Sequence, residues 1–281
     1  MLGKLLKHEW KAVWKVPMLL IAILMITAVM AGLTFALPIW DSEWVGLPLS
    51  GIMLICMFYF AIIAVTVGIM IYFAVRYYKN MFTDEGYLTH TLPVTARQLL
   101  LNKTITMSAW NLIAMLAVVI SIFVFFAIMI LSLAPKDSSF TRELMETIRA
   151  WPEVLKSPYM DGFEGFCIGG LLVVLIGAFS NSMMLIGAIT LGQMVRKHRI
   201  LGAVGAYFGL TIIVQIFSTV IMIPMMVKMM DSSYYDSAYG AQSPFPILTS
   251  FYFLVAGVSL VLGIGLYFMS EYLIRHKLEL E

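Results

Sequence analysis

The sequence predicts an all-α membrane protein in which six helices cross the bilayer. Two observations support this fold class. First, 61% of the 281 residues are hydrophobic and only 12% are charged, whereas about 25% of a soluble domain is charged. Second, six stretches are long and apolar enough to cross a hydrocarbon core of about 30 Å as a helix. The formal net charge of only +2 argues against nucleic-acid binding through bulk charge.

An amphipathic segment precedes the first span. Between residues 2 and 15, four lysines fall on one side of a helical wheel and the large apolar side chains on the other. This pattern is typical of a helix that lies in the membrane interface with its lysines toward anionic headgroups. We therefore predict an interfacial helix over 2–15; the simpler alternative is a basic flank that only orients the first span. The predicted apolar face comprises Leu5, Leu6, Trp10, Val13 and Trp14.

The six predicted spans follow in order within one membrane domain that covers 1–281. Each span is built on a run of about 20 or more residues that lacks Asp, Glu, Lys and Arg. Between spans three and four, the outer loop 134–165 has the periodicity of an amphipathic helix, which we expect to end at Pro152. The approximate ranges of the spans are 17–37, 49–75, 104–133, 166–195, 200–227 and 251–273, of which the last is built on the charge-free run 251–270.

The distribution of Lys and Arg predicts the orientation of the chain. The two terminal segments, the loop between spans two and three, and the loop between spans four and five together hold 13 of these residues, against five in the remaining loops. Because Lys and Arg concentrate in cytoplasmic loops, we expect both termini to be cytoplasmic.

The cytoplasmic loop 79–103 is the most informative segment outside the spans. Aromatic residues alternate there with charged ones, as they do at protein interfaces. Pro93 interrupts any helix, and Thr95 and Gln98 match a capping box that predicts a new helix start before span three. The loop is interpreted either as a docking surface for a cytoplasmic partner or as a short interfacial segment with solvated charges.

Catalytic and metal-binding patterns are missing from the sequence. The apolar runs contain no Asp, Glu, Lys, Arg or His, and there is no P-loop and no H-E-x-x-H, so we predict neither an enzyme nor a metal site. Cys56 and Cys167 do not form a C-x-x-C pair, and the sequence leaves two alternatives: two free thiols or a disulfide between them. Four amides within or near the spans are candidates for interhelical hydrogen bonds or for a polar substrate path: Asn111, Asn181, Gln193 and Gln215.

Small residues at close-packing spacing indicate tight helix contacts in the last three spans. They include Gly205 and Gly209 in span five, Ala178 and Ser182 in span four, and Gly263 and Gly265 in span six.

The loop between spans two and three resembles the first cytoplasmic loop of type-2 ABC exporter permeases from Gram-positive bacteria. The resemblance lies in RYYKNMFTDEGYL at 76–88, TLPV at 91–94 and QLL at 98–100. The opening segment is similar to the interfacial "elbow" helix of that family, and the end of the chain is similar to its usual tail. Spans three to six are similar in hydropathy alone.

This resemblance implies a half-transporter in the cytoplasmic membrane of a bacterium. Two six-span permease subunits, identical or paralogous, would pair within the lipid bilayer, and separate cytoplasmic ABC ATPase subunits would bind ATP and magnesium. The chain itself would need no cofactor. The expected substrate is an amphipathic peptide, drug or lipid. The docking element, a coupling helix in the family, would comprise Lys79, Phe82, Thr83, Asp84, Glu85, Gly86, Tyr87 and Leu88.

Three other functions remain as alternatives at the level of sequence. The first is a membrane scaffold or sensor that docks a cytoplasmic partner and transports nothing. The second is an ion-coupled carrier or channel, which the lack of ionisable groups at membrane depth disfavours. The third is a membrane enzyme, for which no catalytic constellation is visible.

Overall fold

The computed structural model describes residues 2–37, 40, 44–83, 95–133, 138–195, 198–230, 243 and 245–276. Over these residues the chain forms eight α-helices and one 3-10 turn, and no strand. Six of the helices are long and apolar enough to cross a membrane. The predicted class, an all-α multi-pass membrane protein with six candidate spans, is therefore confirmed.

The eight α-helices of the described residues range from 12 to 38 residues in length. In chain order they are α1 (Leu2–Val13), α2 (Lys15–Leu33), α3 (Gly46–Phe82), α4 (Ala96–Leu133), α5 (Ser138–Leu155), the 3-10 turn Pro158–Met160, α6 (Phe163–Gly192), α7 (Arg199–Met230) and α8 (Phe245–His276). The six candidate spans are α2, α3, α4, α6, α7 and α8.

Several helices extend beyond the apolar runs that predicted them. The second predicted span ends near residue 75, whereas α3 continues to Phe82, and α4 begins at Ala96 rather than near 104. An apolar run marks only the part of a helix that can lie in hydrocarbon, while the backbone hydrogen bonds continue as far as the sequence permits. At the other end of the chain α8 begins at Phe245, since a proline such as Pro246 is tolerated in a first turn.

The predicted end of the amphipathic helix at Pro152 is wrong, because α5 continues through this proline to Leu155. A proline inside a helix removes one backbone hydrogen bond and crowds the preceding turn. Here it lies within the last turn, so few residues follow it and little of the helix has to accommodate the distortion.

The chain divides into two compact units, which are described separately. The N-terminal unit comprises Gly3–Phe73 and Trp110–Trp151, and the C-terminal unit comprises Ala74–Ala109 and Pro152–Glu281, with Met1–Leu2. The backbone of α3 and that of α4 each pass from one unit into the other.

In the N-terminal unit, α2, α3 and α4 pack around aromatic rings and one glycine. Phe58 of α3 stacks on Phe125 of α4, with ring centroids 5.3 Å apart. A Cβ atom at Gly32 of α2 would lie 2.9 Å from the Cβ of Ile128, so only a glycine permits this close approach of α2 to α4. The absence of a side chain at Gly32 thus sets the spacing of the two helices.

In the C-terminal unit, α6 and α8 run parallel and pack against each other along most of their length. Gly169 faces Tyr252 near one end of this pair, and Gly187 faces Leu266 near the other. Between them, the Ser180 hydroxyl donates a hydrogen bond to the Ser259 carbonyl at 2.7 Å. α7 turns back along α6 but has only sparse contacts with α8. The parallel pair therefore forms the core of this unit.

Candidate functional site

The predicted docking residues lie at the junction between α3 and α4. Lys79, Phe82 and Thr83 belong to the described part of the chain. The remaining predicted docking residues lie outside the described residues: Asp84, Glu85, Gly86, Tyr87 and Leu88.

The end of α3 presents a charged side chain outward and aromatic rings inward. Lys79 is exposed, and its backbone carbonyl accepts a hydrogen bond of 2.7 Å from the Thr83 hydroxyl. Phe82 is only 1% exposed and lies edge-on to Tyr77, with centroids 5.8 Å apart. The structure thus places Phe82 in the interior, where burial of its large apolar ring is favourable, rather than on the surface that the sequence predicted for it.

Tyr77 also connects α3 to α6. Its hydroxyl oxygen lies 3.4 Å from the Oγ1 atom of Thr190, and both side chains are buried. A tyrosine hydroxyl usually finds such a partner when the ring is buried. The last two turns of α3 are thus fixed to the end of α6.

The beginning of α4 carries the predicted capping box. The Gln98 backbone N–H donates to the Thr95 Oγ1 atom at 3.3 Å, and the Thr95 backbone N–H donates to the Gln98 Oε1 atom at 3.4 Å. These reciprocal bonds form a capping box, and the Gln98 N–H also donates to the Thr95 carbonyl at 2.9 Å. The predicted helix start is confirmed. The following Leu99 and Leu100 are buried, so this start is packed as well as capped.

In the part of the C-terminal unit that the structure describes, several buried polar atoms have no hydrogen-bond partner; of their residues, only Gln193 was a candidate from the sequence. The Asn102 Oδ1 and Thr106 Oγ1 atoms of α4, both amide atoms of Gln193 at the end of α6, and the Ser270 Oγ atom of α8 are in this state. Each such atom costs about 1–3 kcal/mol if nothing satisfies it. The sequence offers one signal for these buried polar residues, because they are amides and hydroxyls at the ends of apolar runs.

The four candidate path residues do not form one buried polar surface. Asn181 and Gln215 are exposed, and Asn111, which is half-buried, belongs to the N-terminal unit. Gln193 is 12 residues beyond Asn181 on the same helix, a separation of about 18 Å. Within the C-terminal unit the structure therefore separates these amides.

Most of the amphipathic segment at the N-terminus forms α1, which ends at Val13, while Lys15 begins α2; all four lysines are exposed. Val13 is fully buried, and Trp10 stacks on Trp110 of α4 with centroids 4.9 Å apart. Of the other predicted apolar positions, Leu5 and Leu6 are half-buried and Trp14 is exposed. The predicted apolar face thus packs in part against the rest of the N-terminal unit, and Trp14 remains exposed.

Cysteine and metal chemistry contribute no site among the described residues. Cys56 and Cys167 are both free and exposed. No group of three or more His, Cys, Asp or Glu side chains is placed to hold a metal ion within the described ranges.

The small residues predicted to pack closely have two different environments. Ala178 and Ser182 are buried, and a Cβ atom at Gly263 would lie 3.0 Å from the Phe179 ring. In contrast, no atom of the described residues lies within 4 Å of a Cβ atom placed at Gly205, Gly209 or Gly265. The Gly205–Gly209 face of α7 is consequently open in the single chain.

Comparison with protein-family models, curated proteins and solved structures finds no match to this chain.

Proposed function

We propose that the chain is the membrane-spanning permease subunit of an ATP-driven ABC exporter. One observation carries most of this proposal: the two helices that flank the predicted docking loop are both anchored in the C-terminal unit. Tyr77 ties the end of α3 to α6, and the capped start of α4 is buried at Leu99 and Leu100. A partner that binds and displaces such a loop would also displace the packed helices on either side of it.

The proposed mechanism uses this anchoring to transmit movement. An ATPase subunit, which supplies ATP hydrolysis with its bound magnesium, would bind the loop around Asp84 and Glu85 and displace it as its own domains close. The displacement would move the end of α3 together with the start of α4. From there it would reach α6 through Tyr77 and α8 through Arg97, whose side chain lies near the Tyr267 hydroxyl. Coupled helices of this kind have two discrete packings rather than a continuous range.

The expected second permease subunit has a suitable surface on α7. Gly205 and Gly209 lie one turn apart and have open space around them. Paired small residues let helix backbones approach closely in a membrane. With both termini cytoplasmic, as we infer from the Lys and Arg distribution, this surface lies toward the cytoplasmic half of α7.

The substrate class that we propose is an amphipathic peptide, drug or lipid. The spans offer apolar surface and scattered amides but no charged side chain in their apolar runs. An ion would need compensating charges or a broken helix at membrane depth. Transport of a small hydrophilic ion by the assembled complex would contradict this part of the proposal.

Co-purification from a membrane that contains the ATPase subunit tests the docking step. The native chain and its chromosomal neighbours are expressed together, solubilised and assayed for a bound P-loop ATPase. The test variant carries Asp84→Ala, Glu85→Ala and Tyr87→Ala. A matched control removes two carboxylates and one ring from the exposed side of α5 by Glu143→Ala, Glu146→Ala and Trp151→Ala.

We expect the ATPase to co-purify with the native chain and the control, and to be lost from the test variant. Equal binding to the test variant would refute the assignment of the loop. If the ATPase binds through the loop and hydrolyses ATP, but no substrate crosses reconstituted vesicles, the scaffold or sensor function replaces the exporter.

A further inference from the structure

An apolar groove runs between α7 and α8 in the C-terminal unit. One part of the groove has a volume of about 470 Å³ and includes Pro224 and Ser250. The adjoining part has about 560 Å³ and includes Phe217, Gly257 and Val261. Leu254 lines both parts, so the two parts adjoin along α8.

The groove exists because α7 and α8 both pack on α6 but hardly touch each other. Pro224 lies inside α7, where it has no N–H to donate and its ring pushes against the preceding turn, which disturbs the local course of the helix. On the opposite wall Gly257 has no side chain, and nothing lies within 4 Å of a Cβ atom placed there. A proline on one helix and a glycine on the other thus leave the space between them unfilled.

The lining of the groove selects an apolar occupant. Its residues are hydrophobic except for Ser250, whose hydroxyl donates to the Pro246 carbonyl of its own helix at 2.9 Å. Among the residues whose side chains the structure describes, no charged side chain lines either part. A ligand with a polar body would lose its hydration there and gain no hydrogen bond in exchange.

The groove is longer than one leaflet of hydrocarbon is thick, so it is long enough to hold a lipid chain. On α8 the lining extends from Ile247 to Leu262, which at 1.5 Å per residue is about 22 Å. One leaflet of hydrocarbon is about 15 Å thick, half of a core of about 30 Å. Both walls are candidate membrane spans, so the medium to which the groove opens is hydrocarbon. We infer that this groove binds an acyl chain of a membrane phospholipid.

A second copy of the chain is the competing occupant, and α7 offers it a different face. Gly205 and Gly209 lie roughly 120° around the helix axis from the groove-lining residues, at 100° per residue. That face has the small residues that helix pairs use in membranes, whereas the groove is bordered by the bulky Phe217 and Phe253. The inference rests only on the membrane-spanning character of α7 and α8 and is independent of ATPase docking.

Photo-crosslinking with a lipid probe tests the inference on the full-length chain. The purified protein is reconstituted into phospholipid vesicles that contain a phosphatidylcholine with a diazirine in one acyl chain. After irradiation, mass spectrometry maps the labelled residues. Gly257→Leu fills the groove, and Gly265→Leu is the matched control, because both glycines are exposed on α8 with nothing within 4 Å of a Cβ atom.

We expect label to concentrate on the groove residues of α7 and α8, and to fall about tenfold there in Gly257→Leu, as displacement of roughly two methylenes predicts. The control keeps the native labelling. Label that is no denser in the groove than at the exposed Phe60 of α3 and Phe123 of α4 would overturn the inference, since it would show only exchanging bulk lipid. Loss of dimer crosslinking in Gly257→Leu alone, without lipid label in the native groove, would assign the groove to a second copy.

Discussion

The hydroxyl of Ser180 makes a hydrogen bond to another helix, whereas most helical serine and threonine hydroxyls in the described residues bond a carbonyl of their own helix. It donates to the Ser259 carbonyl of α8, whereas Ser50 donates to the Leu47 carbonyl one turn away in α3. The first bond joins two helices, and the second only adds to a helix that forms without it. The same chemical change at the two residues should therefore have different effects.

We predict that Ser180→Ala lowers the free energy of unfolding by about 1 kcal/mol, the usual contribution of an interhelical hydrogen bond in a membrane protein. Ser50→Ala is the control and should leave the stability close to that of the native protein. Unfolding in detergent, followed by circular dichroism, measures both. Equal losses for the two variants would show that the Ser180–Ser259 bond has no particular role in joining α6 to α8.

At the scale of elements, the hairpin between α6 and α7 depends on contact between backbones. A Cβ atom at Gly192 would overlap the backbone nitrogen and Cα of Ala203. Backbone atoms cannot move aside as a flexible side chain can. The two helices reach this separation only because residue 192 has no side chain.

We predict that Gly192→Ala destabilises the protein by about 1–3 kcal/mol, the range for overpacked sites. Gly265→Ala on α8 places the same methyl group where no described atom lies within 4 Å and should be neutral or slightly stabilising, because alanine favours a helix over glycine. Thermal unfolding in detergent compares the two variants. The prediction fails if Gly192→Ala unfolds at the native temperature.

The elements differ in how far the sequence specifies them. The number and order of the spans follow from apolar runs, since crossing hydrocarbon requires a minimum length of apolar helix. The start of α4 follows from Thr95 and Gln98, because capping is local chemistry. The inward direction of Phe82 does not follow from the sequence, because a ring near a helix end suits an interface as well as a core. Only the packing against Tyr77 decides between these two environments.

At the scale of the whole molecule, the distribution of Lys and Arg leads to a topology that labelling can test. We predict that both termini and the loop after α3 are cytoplasmic, and that the segment after α5 is external. In a background with Cys56→Ser and Cys167→Ser, a membrane-impermeant maleimide should label Ser157→Cys in intact cells. Lys11→Cys should react only after the cells are permeabilised. The opposite pattern would invert the proposed orientation and place the docking loop outside the cell.

The pairing of helices within a unit is the part of the fold that the sequence does not specify. Hydropathy identifies α6, α7 and α8 as spans but has no information on which of them pack together, since lipid is as apolar as a neighbouring helix. Spacing rules selected Gly205 and Gly209, which have open space around them, and missed Gly169 and Gly187, which contact α8. The α7–α8 groove follows from that pairing, so hydropathy and spacing rules did not predict it either.

The parallel pairing of α6 with α8 has a consequence for biosynthesis. Two membrane-spanning helices that run in the same direction cannot directly follow each other in the chain. The ribosome therefore makes α7 after α6 and before α8. At ribosomal rates of about 5–20 residues per second, the roughly 80 residues from Gly192 to the end of α8 take on the order of 4–16 s. During this interval the side of α6 that carries Gly169 and Gly187 lacks the helix against which it packs, α8. A chain arrested after α7 would leave that face in lipid, where membrane chaperones and proteases could recognise it.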